Sequence, residues 1–398
     1  MKSELMIRIS RKWMLLFILF IVIYPIFITY ILPLTRFWYL SRKLIILQDV
    51  VILLTALYGT LLGIQQKMLL IRWLIPALVG AFFFLFPQIF LFFQNHQDAD
   101  ALLTIIRFFL LFYIFLITSE KISFYKKDFV MIAMVFGFFF LFCCFYDIFQ
   151  NYEAFRTISM DTFRDSIFQS VFLNPNRFAC FLGLTIILSI SAFWLSKKTF
   201  FLLNSLFLTF YLFLTGSRGS VIMVFLFVIG FILSLMGKNH YSRSIFMILD
   251  IFLLGLILWQ FDFIRKFCEL KNGLTGREYI WRLSWQLFRS SNIFAGNGLT
   301  NLLESIIEIK LNQLASAHNG YISVLYSGGI LLSSFYTYVF VVIFQRTMII
   351  RRHFWLPFVL SASFYGFFES TVLPFYFSPI SNYFTVCLVA LPLLVKEP

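Results

Sequence analysis

The feature that most restricts this chain is a succession of apolar runs of membrane-spanning length, separated by short and often basic connections. A helix needs about 20 predominantly apolar residues to cross a hydrocarbon layer of ~30 Å. Runs of that kind predict spans at 13–34, 44–64, 68–93, 101–118, 129–149, 178–195, 199–215, 219–236, 244–263, 319–345, 354–371 and 375–395. With 61% of residues hydrophobic and only 13% charged, no water-facing surface can be assembled around a soluble core. The expected fold is an all-α polytopic membrane protein of about twelve transmembrane helices, forming a single integral membrane domain over residues 1–398.

An even number of spans leaves both termini on one side. The short loops of that side hold Lys2, Arg8, Arg11, Lys12, Lys67, Arg72, Lys126, Lys127, Lys197, Lys198, Arg346, Arg351 and Arg352, which makes it cytoplasmic by the positive-inside rule. The opposite connection at 94–100, QNHQDAD, has no Lys or Arg. Two outer segments are long, 150–177 and 264–318, and chemistry on the outer face is expected to use them. The first apolar run has the basic flank of a signal peptide but no small-residue cleavage site, so it is read as a mature helix. A net charge of +14, beyond the inside bias, points to anionic lipid or phosphate and not to nucleic acid, for which no binding module is present. The five cysteines have no metal-ligand spacing and fall mostly within spans, as core filler.

Among the polar residues, Arg218 stands out. It lies in TGSRGS (215–220), between one apolar run and the next. A permanent charge at that position is costly unless an anion comes to it. The guanidinium fork suits phosphate oxygens, and Gly216, Ser217, Gly219 and Ser220 leave room for a head group. The alternative is an arginine that snorkels to the interface. In the long outer loop, REYIWRLSWQLFRS (277–290) places Ile280, Leu283 and Leu287 on one stripe with Trp281, Trp285 and Phe288 beside it. Arg282 and Arg289 fall on the polar side, the pattern of an interfacial helix. Arg277 would sit in its first turn, where free amides add to the attraction for phosphate, and Gly296, Asn297 and Gly298 would break it. A second amphipathic stretch runs through Leu302, Leu303, Ile306, Ile307 and Leu311. His318 closes the loop in AHNGY (317–321); an imidazole there can take a proton from a sugar hydroxyl near neutral pH, or can simply sit at the interface. Asn319 is a candidate for substrate contact or for capping the next helix.

Other polar residues are read more simply. Asp49 and Arg107, near the outer ends of their helices, are expected to pair as a structural element. Glu369 is a candidate carboxylate for orienting an acceptor. Asp98 and Asp100 form a D-x-D pattern that is better explained as a helix cap than as a metal site, and no metal or other cofactor is expected.

The residues then match a family pattern. NPNRFACFLGL (174–184), LTGSRGS (214–220), TGREYIW (275–281), IFAGNGLTN (293–301) and AHNGYISVLYSGGI (317–330) follow one another in an order that resembles the O-antigen polymerase and ligase family, bacterial membrane glycosyltransferases acting on polyprenyl-pyrophosphate-linked glycans. The resemblance covers the C-terminal two thirds of the chain. It implies a helical, GT-C-like membrane glycosyltransferase that needs no metal, with Arg218 and Arg277 on the pyrophosphate and His318 at the acceptor hydroxyl. Ser217, Ser220, Asn319, Arg282 and Glu369 are the expected substrate-binding residues.

The resulting expectation is polymerisation of undecaprenyl-pyrophosphate-linked repeat units of an O-antigen, capsule or exopolysaccharide, by inverting transfer at the outer face of the plasma membrane. Its partners would be the lipid-linked oligosaccharide, the bilayer, and a chain-length regulator and flippase of the same pathway. The alternatives are a ligase that transfers the glycan to an envelope acceptor such as lipid A core, a transporter of the lipid-linked glycan, and a noncatalytic scaffold. A transporter is disfavoured because the distinctive polar residues collect at the outer boundary and the two halves show no repeat.

Overall fold

A computed structural model describes residues 2–34, 40–65, 89–90, 92–93, 99–119, 122–157, 168–172, 174–236, 277–290, 292–297, 319–349, 355–366 and 379–395. In chain order the main helices are α1 (Lys2–Ile26), α2 (Ser41–Gln65), α3 (Ala99–Ser119), α4 (Lys126–Gln150), α5 (Pro175–Ser196), α6 (Thr199–Leu214), α7 (Arg218–Met236), α8 (Arg277–Ser290), α9 (Gly320–Ile349), α10 (Trp355–Tyr365) and α11 (Pro379–Thr385). α1 continues as a π turn at Phe27–Ile31 and α11 as one at Val386–Ala390. Among the described residues six helices are long and apolar enough to cross a membrane: Arg11–Ile31, Leu44–Leu61, Lys126–Gln150, Pro175–Ser196, Arg218–Leu235 and Gly320–Gln345. Four shorter apolar helices accompany them, Phe109–Ser119, Thr199–Leu214, Trp355–Tyr365 and Asn382–Leu394. The protein is thus an all-helical, multi-pass membrane protein. The predicted span 244–263 and nearly all of 68–93 lie outside the described residues, as does the stretch 302–311.

The chain forms two compact units. The first comprises Met1–Ile75, Arg107–Phe225 and Phe377–Pro398; the second comprises Pro76–Ile106 and Leu226–Tyr376.

In the first unit α5 is the central helix, packed against α4, α6 and α11. Lipid chains are as apolar as a leucine side chain, so helices in a bilayer associate through close packing and polar contacts between them. Gly183 lets α7 approach α5: a Cβ there would come within 2.5 Å of Met223 Cε. Phe136, Phe140, Phe172, Phe181 and Tyr383 interlock at ring spacings of 4.9–6.3 Å, and the Tyr383 hydroxyl shares a 2.8 Å hydrogen bond with Thr185. Asn204 Nδ2 donates to Ser189 Oγ at 3.0 Å. Pro25 sits inside α1. Lacking an N–H, it leaves the carbonyl four residues earlier without its helical donor, and that carbonyl, Ile21 O, accepts from Asn382 Nδ2 of α11 at 3.1 Å. The expected Asp49–Arg107 pair is present and bidentate, with Nη2 to Oδ2 at 2.7 Å and Nε to Oδ1 completing it. Cys143, Cys144, Cys180 and Cys387 are buried and form no disulfide, core filler as expected; Cys268 lies outside the described residues.

In the second unit α8 packs on α9, and α9 on α10. The Gly320 amide donates to Gly366 O and the Tyr321 hydroxyl to Ser363 O, both at 2.7 Å. The helical path of α9 is interrupted at Gly329, with φ 62° and ψ −161°, a conformation open only to glycine.

Candidate functional site

The turn between α6 and α7 positions Arg218. Gly216, at φ 66°, ends α6 in the left-handed conformation that glycine adopts without a Cβ penalty. Thr215 Oγ1 closes onto Leu212 O at 2.7 Å. Helix α7 then starts at Arg218 itself, so the guanidinium, on an exposed residue, stands where the first-turn amides and the helix dipole favour an anion. The two flanking serines, expected to bind substrate, lie within the turn itself. Ser217 and Ser220 are buried, at 3% and 0% exposure, and Ser217 Oγ donates to Ser220 Oγ at 3.3 Å. Their hydroxyls fasten the first turn of α7, which is a supporting position for Arg218.

Phe178 in the first turn of α5 lies 5.9 Å from Tyr211 in the last turn of α6, measured between ring centroids, which brings the start of α5 to the same end of the first unit as the Arg218 turn. The NPNR segment caps α5: Asn174 Oδ1 accepts from the amides of Asn176 and Arg177 at 2.9 and 3.2 Å, and Pro175 takes the first helical position. The Arg177 side chain is left exposed at this end. Below the two helix starts lies a carboxylate that the sequence reading missed. Asp147 of α4, 2% exposed, accepts from the Tyr211 hydroxyl at 2.8 Å and from Asn151 Nδ2 at 2.7 Å. A buried charge needs such donors. Tyr211 lies in the last turn of α6, just before the Arg218 turn, so Asp147 ties α4 to the base of that turn.

The second unit carries the remaining candidates. Arg277 is the first residue of α8, the predicted position; its side chain lies outside the described residues. The helix exists as expected, but it is docked, with Ser284 and Phe288 buried against α9. Arg282, Trp285, Gln286 and Arg289 are exposed, and the Arg289 guanidinium lies 5.7 Å from the Trp285 ring centroid. The helix ends at Ser290, six residues before the glycine expected to break it. Asn292 Oδ1 caps the turn that follows, accepting from Phe294 N and Ala295 N at 3.0 and 3.2 Å. Asn319 is the N-cap of α9: its Oδ1 accepts from Tyr321 N and Ile322 N at 3.0 and 3.1 Å, and it is 5% exposed. Its carbonyl oxygen also accepts from Ser323 Oγ at 2.9 Å. Of its side chain only Nδ2 remains for a substrate. His318, Glu369 and Asp98 lie outside the described residues; Asp100 is the second residue of α3. Arg218 therefore belongs to the first unit, and Arg277, Arg282 and Asn319 to the second.

No curated protein and no solved structure matches the chain. A family model does: residues 203–337, about a third of the chain, match the one described as O-antigen ligase. The matched segment begins in α6, contains the Arg218 turn, the whole of α8 and His318, and ends beyond the break in α9. Over residues 203–337 this multi-pass membrane protein is thus similar to the family described as O-antigen ligase.

Proposed function

We propose that the protein polymerises oligosaccharide repeat units linked to undecaprenyl pyrophosphate, destined for an O-antigen, capsule or exopolysaccharide, at the outer face of the bacterial plasma membrane. A hydroxyl of the acceptor unit attacks the anomeric carbon of the donor glycan with inversion. The new C–O bond forms as the bond to the lipid pyrophosphate breaks, and the hydroxyl proton passes to His318. Arg218 and Arg277 hold the leaving pyrophosphate, and Arg282 extends the cationic surface. Ser217 and Ser220 act as supports of the Arg218 turn, while Asn319 Nδ2 and Glu369 orient the acceptor. Charge stabilisation and positioning do most of the work, and two arginines stand in for a divalent cation, so the transfer proceeds without metal. The frame is a GT-C-like membrane domain of twelve spans, with cytoplasmic termini and the 264–318 loop outside. A flippase that delivers the repeat unit and a regulator of chain length are the partners this reading calls for.

The observation that carries the reading is Arg218, at an exposed helix N-terminus inside the segment that matches the O-antigen ligase family. The test is purified protein in detergent with a lipid-linked repeat unit and a chelator. Polymer forms with the natural sequence and fails with Arg218→Ala; an absolute requirement for Mg²⁺ or Mn²⁺ would overturn the metal-free assignment. A second reading, a ligase that passes the lipid-linked glycan to an envelope acceptor such as lipid A core, is favoured by the family's own description as O-antigen ligase. The two share the donor site and differ in the acceptor.

A further inference from the structure

The break in α9 is closed by a strap from the preceding loop. Ile330 N donates to Ile293 O at 2.9 Å, Leu331 N to Phe294 O at 3.3 Å, and Asn297 N to Tyr326 O at 2.9 Å. The groups that a helix would otherwise satisfy internally are thus paired with backbone from 293–297. The approach is too close for side chains. A Cβ on Gly296, whose φ is +73°, would lie 2.6 Å from Gly329 N and 2.7 Å from Gly328 N, and one on Gly329 would lie 2.6 Å from Ile293 O. Backbone cannot yield as a flexible side chain can, so Gly296 and Gly329 are both required by the strap.

The position of the break along α9 has a meaning in a membrane. At 1.5 Å per residue the 30 residues of α9 extend about 45 Å, well beyond the ~30 Å hydrocarbon layer. The stretch from Ile330 to Ile349 alone covers about 30 Å, and Arg346, Arg351 and Arg352 cluster at its far end. The exposure pattern divides at the same place. Among the described residues, no large apolar side chain of Gly320–Gly328 is exposed, whereas Ile330, Tyr338 and Val341 are 43%, 40% and 45% exposed. On the strap beside Ile330, Ile293 and Phe294 are 45% and 65% exposed. Side chains of this kind, gathered at the level of a paired helix break, suit hydrocarbon and not water.

We propose that the break at Gly329 marks the outer boundary of the hydrocarbon, and that the strap Ile293–Asn297 is a membrane-contact element that inserts Ile293 and Phe294 into the lipid at that boundary. The half-helix Gly320–Gly328 then stands about 13 Å proud of the bilayer core, covered by protein. Helix α8, three residues ahead of the strap, is held at headgroup level with Trp285, Arg282 and Arg289 facing outward. The partner of this surface is the outer leaflet itself. Its consequence rests on the proposed function: the strap fixes the height of the arginine helix at the level of a lipid pyrophosphate.

The test reads depth and needs no transfer assay, so its failure and that of the enzymatic reading can be told apart. In a Cys268→Ser background, nitroxide labels are placed singly at Phe294→Cys, Gln286→Cys and Val341→Cys in vesicles of bacterial phospholipid. The four other cysteines are buried and serve as the unlabelled control. Collision with dissolved oxygen and with a water-soluble nickel chelate reports depth. The label at 294 is expected just inside the boundary, clearly shallower than 341, while 286 reports water. A label at 294 that is reached by the nickel chelate as freely as 286 overturns the proposal, as does one that lies as deep as 341. Hydrogen exchange supplies the second arm. Gly329→Ala should speed exchange at Ile330, Leu331 and Asn297 at least tenfold while α4 to α6 keep their protection; unchanged exchange at those three amides removes the strap from the account.

Discussion

In the proposed function Arg218 is the side chain on which the chemistry most depends, because its charge is fixed, its residue is exposed and it opens a helix whose first-turn amides favour an anion. Arg218→Lys is therefore expected to be nearly as damaging as Arg218→Ala, each lowering transfer by about 10²-fold or more, the scale of losing an oxyanion donor. The lysine keeps the charge and loses the bidentate fork. Steady-state turnover of both variants checks this, and near-normal polymer from the alanine variant would return Arg218 to a snorkelling role. Exchanging Ser217 for alanine should cost less than tenfold, since its hydroxyl is spent on Ser220. His318→Ala separates two tasks: transfer should be abolished while binding of the lipid-linked donor, measured by thermal shift, survives through the arginines. At this scale the sequence exposed what local chemistry dictates. A charge between spans, an asparagine before a helix and an Asn-Pro start are all visible without a fold. Asp147 was not visible, because the hydroxyl that justifies it comes from Tyr211, 64 positions away.

At the scale of elements, helices that run straight were legible and departures from straightness were not. Hydropathy located α2, α4, α5, α6 and α7 to within a few residues, since length and composition alone decide whether a run can cross a bilayer. The break in α9 was hidden: Gly328 and Gly329 inside an apolar run also suit ordinary close packing of helices, and only the strap some thirty residues upstream gives them their meaning. Likewise the amphipathic pattern of α8 was legible but its protein partner was not: Ser284 and Phe288 are buried where the helix packs on α9. The link between Pro25 and Asn382 gives an element-level prediction. Asn382→Leu leaves the Ile21 carbonyl without its donor and should destabilise by about 1 kcal/mol, within the range for hydrogen bonds between membrane helices. Pro25→Ala returns a helical N–H to that carbonyl. In the Pro25→Ala background the Asn382→Leu cost should therefore shrink, and a double-mutant cycle on detergent unfolding measures the coupling. Additive effects would mean that the bond in the structure carries no stability.

For the molecule as a whole, the proposed orientation, with cytoplasmic termini and the 264–318 loop outside, decides which chemistry is open to the site. Cysteine labelling in intact cells with an impermeant reagent should modify Arg282→Cys and spare Lys127→Cys, which should react only once the inner face is opened; both residues are exposed. The reverse pattern would place the arginine helix in the cytoplasm and remove an outer-face transferase from consideration. What the sequence left open at this scale is the acceptor, because a donor site built on arginines reads pyrophosphate and says nothing about the glycan that attacks. Cells separate the two cases by what accumulates when the protein is removed. A polymerase joins repeat units while they are still on lipid, so its loss should leave lipid-linked glycans one repeat long and no longer chains. A ligase acts after chain growth, and its loss should leave long chains that remain on lipid while the envelope acceptor stays bare. Extraction of the lipid-linked pool, mild acid release and sizing of the glycans distinguish them in one measurement. The proposed function requires single repeats. A ladder of long lipid-linked chains would transfer the assignment to the ligase without disturbing the roles of Arg218, Arg277 or His318. An unchanged pool in both length and amount would set aside both readings, since neither form of transfer can be lost without a donor accumulating behind it.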